Sequence, residues 1–144
     1  MNSTLSYTQA RNFLLDLFAK VNLPEDKALI TAKILLEGEL LGHRTHGLQL
    51  TMPYIAHIKS GSMEIKGTYD VLNRASSSEL WDGKYLTGPW LIEKGIKKAD
   101  LMAAENGVGT VVIQKSSHIG CLAAYLEEAT QNGNMVIIAC SDPD

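Results

Sequence analysis

The fold class is decided by one stretch in the second half of the chain, Glu105-Asn106-Gly107-Val108-Gly109-Thr110-Val111-Val112-Ile113. Gly107 ends a helical pattern, and the β-branched run that follows it predicts a buried strand. Upstream, Gly88-Pro89 begins a long predicted helix. Downstream, the pattern predicts a helix over residues 120–132 and another apolar strand over residues 135–139. Helices and strands that alternate with short links are typical of an α/β unit with a parallel pair of strands.

The preceding part of the chain changes its periodicity near residue 67. Residues 69–74 and 79–81 alternate as strands do, and the serine run between them predicts a β-hairpin. Everything earlier has helical spacing. We therefore expect an N-terminal helical segment over residues 1–66, followed by the first part of an α/β cofactor-binding domain over residues 67–144.

Three helices are predicted in the N-terminal segment. Ser6 and Gln9 form a capping box at the start of the first helix, which should end at Asn22. Pro24 begins the second helix, which is expected to continue to about Gly42. The third is expected over residues 48–60.

Composition excludes several classes of protein. Hydrophobic residues make up 45% of the chain and charged residues 20%, as in ordinary soluble domains. The net charge of −3 argues against a nucleic-acid partner. No apolar run approaches the roughly 20 residues that cross a bilayer, and the chain begins without a signal-peptide pattern, so the expected location is cytoplasmic with no membrane partner. Cys121 and Cys140 are expected to be small buried residues rather than a disulfide.

The end of the chain is unusual for this fold class. The last predicted strand is followed only by Cys140-Ser141-Asp142-Pro143-Asp144. A parallel sheet needs further strands and helices on both faces, so we expect the chain to be part of a longer protein. The alternative is a small complete domain with an edge strand at its end.

The first candidate site is Arg44-Thr45-His46-Gly47, a polar patch between two apolar helices. His46 can donate or accept a proton near neutral pH, and the Thr45 hydroxyl could orient its ring. Gly47 permits a sharp turn, and Arg44 could pair with a substrate carboxylate. The alternative is a connecting turn in which His46 has only a structural role.

The second candidate site is Ser116-Ser117-His118-Ile119-Gly120, which follows the buried strand. Open α/β sheets bind ligands at the carboxyl ends of their strands, and the N–H groups at a helix start attract phosphate. The alternative is that a serine merely caps the next helix and His118 lies on the surface.

No other motif for chemistry is present in the sequence. His43 and His46 are three residues apart but lack a third ligand nearby, so no metal site is predicted. The Gly-x-Gly-x-x-Gly fingerprint of dinucleotide-binding folds is also absent. From the residues alone, the protein is an α/β protein with two histidine loops.

Three groups of motifs resemble the malate/L-lactate dehydrogenase type-2 family, which also includes ureidoglycolate, sulfolactate and cyclic-imine enzymes. The first is Gly42-His43-Arg44-Thr45-His46-Gly47-Leu48, followed by Tyr54 and Gly61. The second is Trp81-Asp82-Gly83, followed by Gly88, Ala99 and residues 105–109. The third is Ser116-Ser117-His118-Ile119-Gly120 with Tyr125 and Gly133. Their order and spacing agree with the family over nearly the whole chain.

The resemblance implies an α/β fold that binds NAD or NADP without a Rossmann domain, here incomplete. It implies an oxidoreductase that transfers a hydride between nicotinamide C4 and the carbonyl or imine carbon of a small carboxylic acid. Complete members are much longer than this chain and are expected to be homodimers. We therefore expect the chain alone to be inactive.

The resemblance also implies roles for individual residues. Thr45 and His46 occupy the place of a Ser/Thr-His proton relay in one branch, and His118 that of the acid/base in another. His46 is preferred as the proton donor, and His118 is second. The cofactor-contacting segment corresponds to His118, Ile119, Gly120, Cys121 and Leu122.

One position departs from the family pattern. Many members have an arginine for the substrate carboxylate where this chain has Leu50, so either Arg44 replaces it or the substrate is held differently. Two other hypotheses remain open at this point: a degenerate fragment without catalysis, or a small α/β ligand-binding module.

Overall fold

The computed structural model describes residues 4–141, except for the side chains of residues 128 and 129. Along the chain, its helices and strands are α1 (Tyr7–Ala19), α2 (Glu25–Leu40), α3 (Thr51–Ser60), β1 (Asp70–Arg74), β2 (Ser78–Asp82), α4 (Gly88–Asn106), β3 (Thr110–Gln114) and α5 (Leu126–Thr130). Short 3-10 turns cover Arg44–His46, Leu48–Leu50 and Leu122–Tyr125. The predicted α/β class, with three helices before the sheet, is confirmed.

The three N-terminal helices share one apolar core. The predicted capping box is present, since Ser6 Oγ accepts from the N–H of Gln9 and the Gln9 side chain accepts from the N–H of Ser6. Phe18, Leu35 and Tyr54 are fully buried in this core. Burial of each such side chain stabilises the fold by about 1.5–3 kcal/mol, so this core accounts for much of the stability of the helical segment.

The sheet has the strand order β1-β2-β3. β1 and β2 form the predicted antiparallel hairpin, with a register shift between Val71 and Asn73. β2 and β3 are parallel and are connected through α4, and the last pair in their register is Asp82 with Gln114. The parallel pair predicted between the strand now seen as β3 and residues 135–139 is not formed within the described residues 4–141; β3 instead pairs in parallel with β2, across α4. The carboxyl ends of β2 and β3 therefore lie at the same edge.

A contact between α2 and α4 joins the helical segment to the sheet. The indole N–H of Trp90 donates to Asp26 Oδ2 at 2.9 Å. The buried ammonium of Lys27 lies 4.4 Å from the centre of the Trp90 ring and donates to the carbonyl of Gly67. Since a cation over an indole face is attracted by the ring, this contact stabilises the packing of α2 against α4.

Two of the sequence-predicted helices have different bounds. α3 begins at Thr51 because residues 48–50 form a 3-10 turn. The helix predicted over residues 120–132 is reduced to the turn Leu122–Tyr125 and the short α5. Its start is delayed because Gly120 has a φ of +74° and Cys121 is extended, and neither conformation belongs to a helix.

The strand predicted over residues 135–139 is wrong for the described structure. Its side chains alternate, with Met135 and Ile137 exposed and Val136 and Ile138 half-buried. However, no strand within residues 4–141 pairs with this segment, and β3 is the last strand of the sheet. Apolar alternation predicts an extended chain but not a partner, and pairing defines a strand. Within the same described range, no helix has both the length and the apolar character needed to cross a membrane.

The buried carboxylate of Glu79 lies at the centre of an ionic cluster on β2. It accepts from the indole N–H of Trp81 at 2.7 Å and contacts Arg74 Nε at 2.8 Å and Lys98 Nζ at 3.3 Å. Burial alone would raise the pKa of Glu79, but the hydrogen bonds from Trp81 and Lys98 and the two positive charges outweigh it. The pKa is therefore held below its usual value of 4.5.

We expect Glu79→Gln to destabilise the protein at neutral pH by roughly 1–3 kcal/mol, the scale for losing a charged hydrogen bond. Because the folded pKa lies below the unfolded one, the stabilisation is present above the unfolded pKa and is lost as pH falls through the folded pKa. Thermal unfolding across this acidic range should therefore show that the difference in stability between Glu79→Gln and wild type becomes smaller as the pH falls. Glu105→Gln, at an exposed position, is the control. A stability difference between Glu79→Gln and wild type that stays constant with pH would contradict the account.

Candidate functional site

The structure brings the two sequence-predicted histidine loops together. The rings of His46 and His118 stack with their centroids 5.7 Å apart and an angle of 29° between their planes. Both residues are exposed, so solvent or a ligand can reach the pair. The sequence analysis correctly placed His46 and His118 in two separate loops, but it did not predict that the two rings are in contact.

The His46 loop lies against the C-terminal end of α2, where the helix has a glycine. A Cβ on Gly38 would lie 2.9 Å from the His46 carbonyl oxygen and 3.1 Å from Cys121 Cβ. A Cβ on Gly47 would lie 2.7 Å from the backbone nitrogen of Glu39. Side chains at these two glycines would push the loop away from the helix, because contacts under 3.0 Å are essentially never formed by real Cβ atoms. The lack of a side chain at Gly38 and at Gly47 thus allows the His46 loop to pack against α2.

The orientation of the His46 ring depends on Thr45. The Thr45 hydroxyl lies 3.0 Å from His46 Nδ1, as the sequence predicted for an orienting hydroxyl. With Nδ1 engaged, the other ring nitrogen is the one that can exchange a proton with a ligand.

His118 is held by hydrogen bonds to its ring and to its backbone carbonyl. The N–H of Gly120 donates to His118 Nδ1 at 3.1 Å, and the Tyr54 hydroxyl donates to the His118 carbonyl at 2.9 Å. Since Nδ1 accepts a hydrogen bond, the neutral ring carries its proton on Nε2. A Cβ on Gly88 would lie 2.3 Å from the His118 carbonyl, so the loop rests directly on the first turn of α4.

Tyr54 is a site residue to which sequence reasoning gave no chemical role. Its side chain is fully buried, and its hydroxyl lies 3.0 Å from His118 Nδ1. Burial raises the pKa of Tyr54 far above its ordinary value, so the phenol stays protonated and can donate. The available signal was a polar-tipped aromatic at an inward helical position, which needs a partner when it is buried.

Arg44 and Leu50 explain one departure of this site from the expected pattern. The Arg44 guanidinium is largely exposed, with Nε 3.8 Å from Glu39 Oε1. Leu50 packs against the apolar core of the helical segment. Leu50 therefore has a structural role, and Arg44 is the arginine of this loop that a carboxylate could reach.

The proposed cofactor segment divides into buried and accessible parts. Gly120 and Cys121 are buried, with Gly120 close to Ile34 and Cys121 close to Gly38. Ile119 accepts a hydrogen bond from the Tyr125 hydroxyl through its carbonyl. The exposed His118 and the half-buried side chains of Ile119 and Leu122 are the members that a ligand could contact.

The two cysteines are free thiols with different surroundings. Cys121 is buried as predicted, whereas the prediction for Cys140 is wrong because it lies exposed in the unpaired segment after residue 135. Among the side chains that the structure describes, no three from histidine, cysteine, aspartate or glutamate are grouped as metal ligands would be.

A cavity of about 130 Å³ lies between α2, α4 and the turn before α5. Its charged lining consists of Lys33, Glu93, Lys97 and Asp100, and it includes neither histidine of the stacked pair. Lys97 contacts Glu93 at 2.6 Å, and Asp100 accepts from Asn132 at 2.8 Å. Glu93, Lys97 and Asp100 therefore have partners within the lining, and the histidine pair remains the candidate site.

Known proteins share both the sequence pattern and the fold. Residues 5–144 match the family described as malate/L-lactate dehydrogenase. The malate/(S)-sulfolactate dehydrogenase of Methanothermus fervidus is 27% identical over 140 residues, which cover 97% of this chain and 41% of that protein. The (2R)-3-sulfolactate dehydrogenase (NADP(+)) of Chromohalobacter salexigens is 27% identical over 142 residues, with 99% and 42% covered.

The same likeness is found among solved structures. The malate dehydrogenase from Pyrococcus horikoshii OT3 matches with a TM-score of 0.88 and 27% identity, covering 91% of this chain and 38% of that one. The chain thus spans about two fifths of the length of these proteins. Because the family match covers almost every residue, the resemblance inferred from the motifs is confirmed. The chain belongs to the malate/L-lactate dehydrogenase family.

Proposed function

We propose that the full-length protein carrying this chain is a dehydrogenase that transfers a hydride between NAD or NADP and a small 2-hydroxy or 2-oxo acid. The observation that carries the proposal is the stacked His46–His118 pair. His118 belongs to the loop that follows β3, and this carboxyl edge of the parallel strands is where open α/β sheets bind ligands.

The described residues fit the nicotinamide end of such a cofactor. The two imidazole rings are exposed and adjacent, so a planar group could pack against them. His118, Ile119 and Leu122 would contact the cofactor there. When bound, the cofactor supplies the hydride, and the protein supplies position and charge.

The protein's own chemical contribution would be one proton. His118 has a defined tautomer with the proton on Nε2, because Gly120 N–H occupies Nδ1. We therefore assign the proton transfer to His118, although the sequence favoured His46. His46, oriented by Thr45, would bind beside it and stabilise the charge that develops on the reacting oxygen.

The substrate would be an acid with a second anionic group. Relatives are named for malate and sulfolactate, each of which has two acidic groups. Arg44 is largely exposed in the His46 loop and would pair with one of them. A homodimeric full-length form stays a prediction.

Replacing each histidine should separate their roles. In the full-length protein, His118→Ala should lower kcat by roughly 100-fold or more, the scale for a lost general acid, and should also weaken NAD(P)H binding, because the ring would contact the cofactor. His46→Ala should have a smaller effect on kcat, and Thr45→Ala a smaller one still, because it removes only an orienting hydroxyl. Steady-state kinetics and fluorescence titration of NAD(P)H measure both quantities.

His57→Ala is the matched control, because His57 lies exposed on α3 and its ring hydrogen-bonds the hydroxyl of Ser62 rather than a residue of the site. It should behave like wild type. If His46→Ala abolishes turnover while His118→Ala remains active, the two assignments are reversed. If neither variant is impaired, the proposed function at this site is wrong.

We expect the 144-residue chain by itself to have little dehydrogenase activity, because it spans about two fifths of the length of its relatives. NAD(P)H oxidation should be assayed with oxaloacetate, pyruvate and a cyclic imino acid. Turnover of about 1 per second or more, an ordinary enzymatic rate, would contradict this expectation.

A further inference from the structure

Two loops at the carboxyl edge of the sheet are hydrogen-bonded to each other between residues 83–86 and residues 114–117. The β2 loop covers residues 83–87, and the β3 loop covers residues 115–121. Gly83 N–H donates to Gln114, and Tyr85 N–H donates to the Lys115 carbonyl at 2.6 Å. Ser117 N–H donates to Leu86, and Ser117 Oγ donates to the Tyr85 carbonyl at 2.7 Å. The next residue is His118, so the joined loops end at the candidate acid.

The backbone of both loops has an unfavourable conformation for its residue types. Lys84 and Tyr85 have φ values of +51° and +57°, and Lys115 has +51°. Residues with a Cβ avoid this left-handed region, where glycine and asparagine are the usual occupants. Residues remain there only where surrounding contacts over-determine the conformation, and such positions cluster at functional sites.

Asp82 supplies contacts that hold this conformation. It is the last residue of β2 and is mostly buried. Its Oδ1 accepts from the N–H of Lys84 at 2.9 Å, and its Oδ2 lies 2.7 Å from Lys115 Nζ. The hydrogen bond from Lys115 and that from Lys84 both lower the pKa of Asp82. The hydrogen bond with Asp82 in turn raises the pKa of Lys115. One carboxylate thus spans both loops.

We propose that Asp82 and Lys115 are positioning residues for His118. Their ion pair holds the left-handed turn at Lys115, and this turn directs the β3 loop over Gly88 so that the His118 ring stacks on His46. Neither side chain touches the reacting atoms. The kinetic part of this inference rests on the proposed function, whereas its structural part concerns only the histidine ring.

The variants are made in the full-length protein. Lys115→Asn removes the charge but keeps a residue that tolerates the left-handed conformation, and Asp82→Asn removes the charge at the other end. Lys115→Arg retains the positive charge and is the rescue variant. Asp70→Asn is the matched control, because Asp70 forms a surface ion pair of the same 2.7 Å length with Lys84 but makes no ion pair with Lys115.

The structural readout is the ¹⁵N spectrum of the imidazole rings in histidine-labelled protein, with the His118 signals assigned through His118→Gln. In the wild type, Nδ1 should have the shift of an accepting nitrogen. Lys115→Asn and Asp82→Asn should move the His118 shifts toward those of a mixed tautomer population, and Lys115→Arg should restore them. The His57 signals should remain unchanged in every variant.

The kinetic readout is the division between kcat and KM. Lys115→Asn and Asp82→Asn should lower kcat roughly 10- to 100-fold, the scale for a misplaced catalytic group, with KM for substrate and cofactor within about twofold of wild type. Asp70→Asn should leave both unchanged. His118 signals identical to wild type in Lys115→Asn and Asp82→Asn would overturn the inference. If the wild-type protein shows no dehydrogenase activity, the proposed function fails, and the ring signals still decide the positioning role.

Discussion

The site depends on one close approach, that of the His46 loop and the Cys121 segment to Gly38 in α2. A side chain at Gly38 would collide with the His46 carbonyl and with Cys121 at the same time. The loops on either side of the site therefore share one helical position as their support. A helix-interior glycine costs about 1 kcal/mol relative to alanine, and here the close packing of two loops accounts for its presence.

The rest of the site follows from that approach and from the direction of the strands. β2 and β3 are parallel, so the loops that follow them lie at one edge, and Gly88 lets the β3 loop rest on the start of α4. Tyr54 then reaches the His118 backbone from α3. The helical segment and the sheet each contribute one histidine, which explains why neither part alone forms the pair.

Local patterns predicted the local structure well. The Ser6 capping box, the β1–β2 hairpin and the start of α4 at Gly88-Pro89 all depend on neighbouring residues, and all three are present. The helix predicted over residues 120–132 starts late, because Gly120 has a positive φ and packs against Ile34. The segment after residue 134 failed as a strand because alternation does not specify a partner.

The candidate site was predicted as two separate loops, and the family resemblance gave their residues roles. Their contact was not predictable from the sequence, because it depends on Gly38. The lack of a side chain at this helix position lets the His46 loop and Cys121 pack close to it. The buried partner Tyr54 and the Asp82–Lys115 pair were missed for the same reason, since their partners are distant in the chain.

The most direct test is Gly38→Ala in the full-length protein, compared with Gly95→Ala. Gly95 is also a buried helix glycine, but an added Cβ there would meet the flexible end of Ile113 at 3.3 Å. The measurement is kcat together with the ¹⁵N signals of the His46 and His118 rings. The account predicts that Gly38→Ala shifts both ring signals and lowers kcat at least about tenfold, as for a displaced catalytic group, while Gly95→Ala changes neither. Unchanged rings and turnover in Gly38→Ala, with the gain of up to about 1 kcal/mol in stability that an unconstrained helix glycine would give, would contradict it.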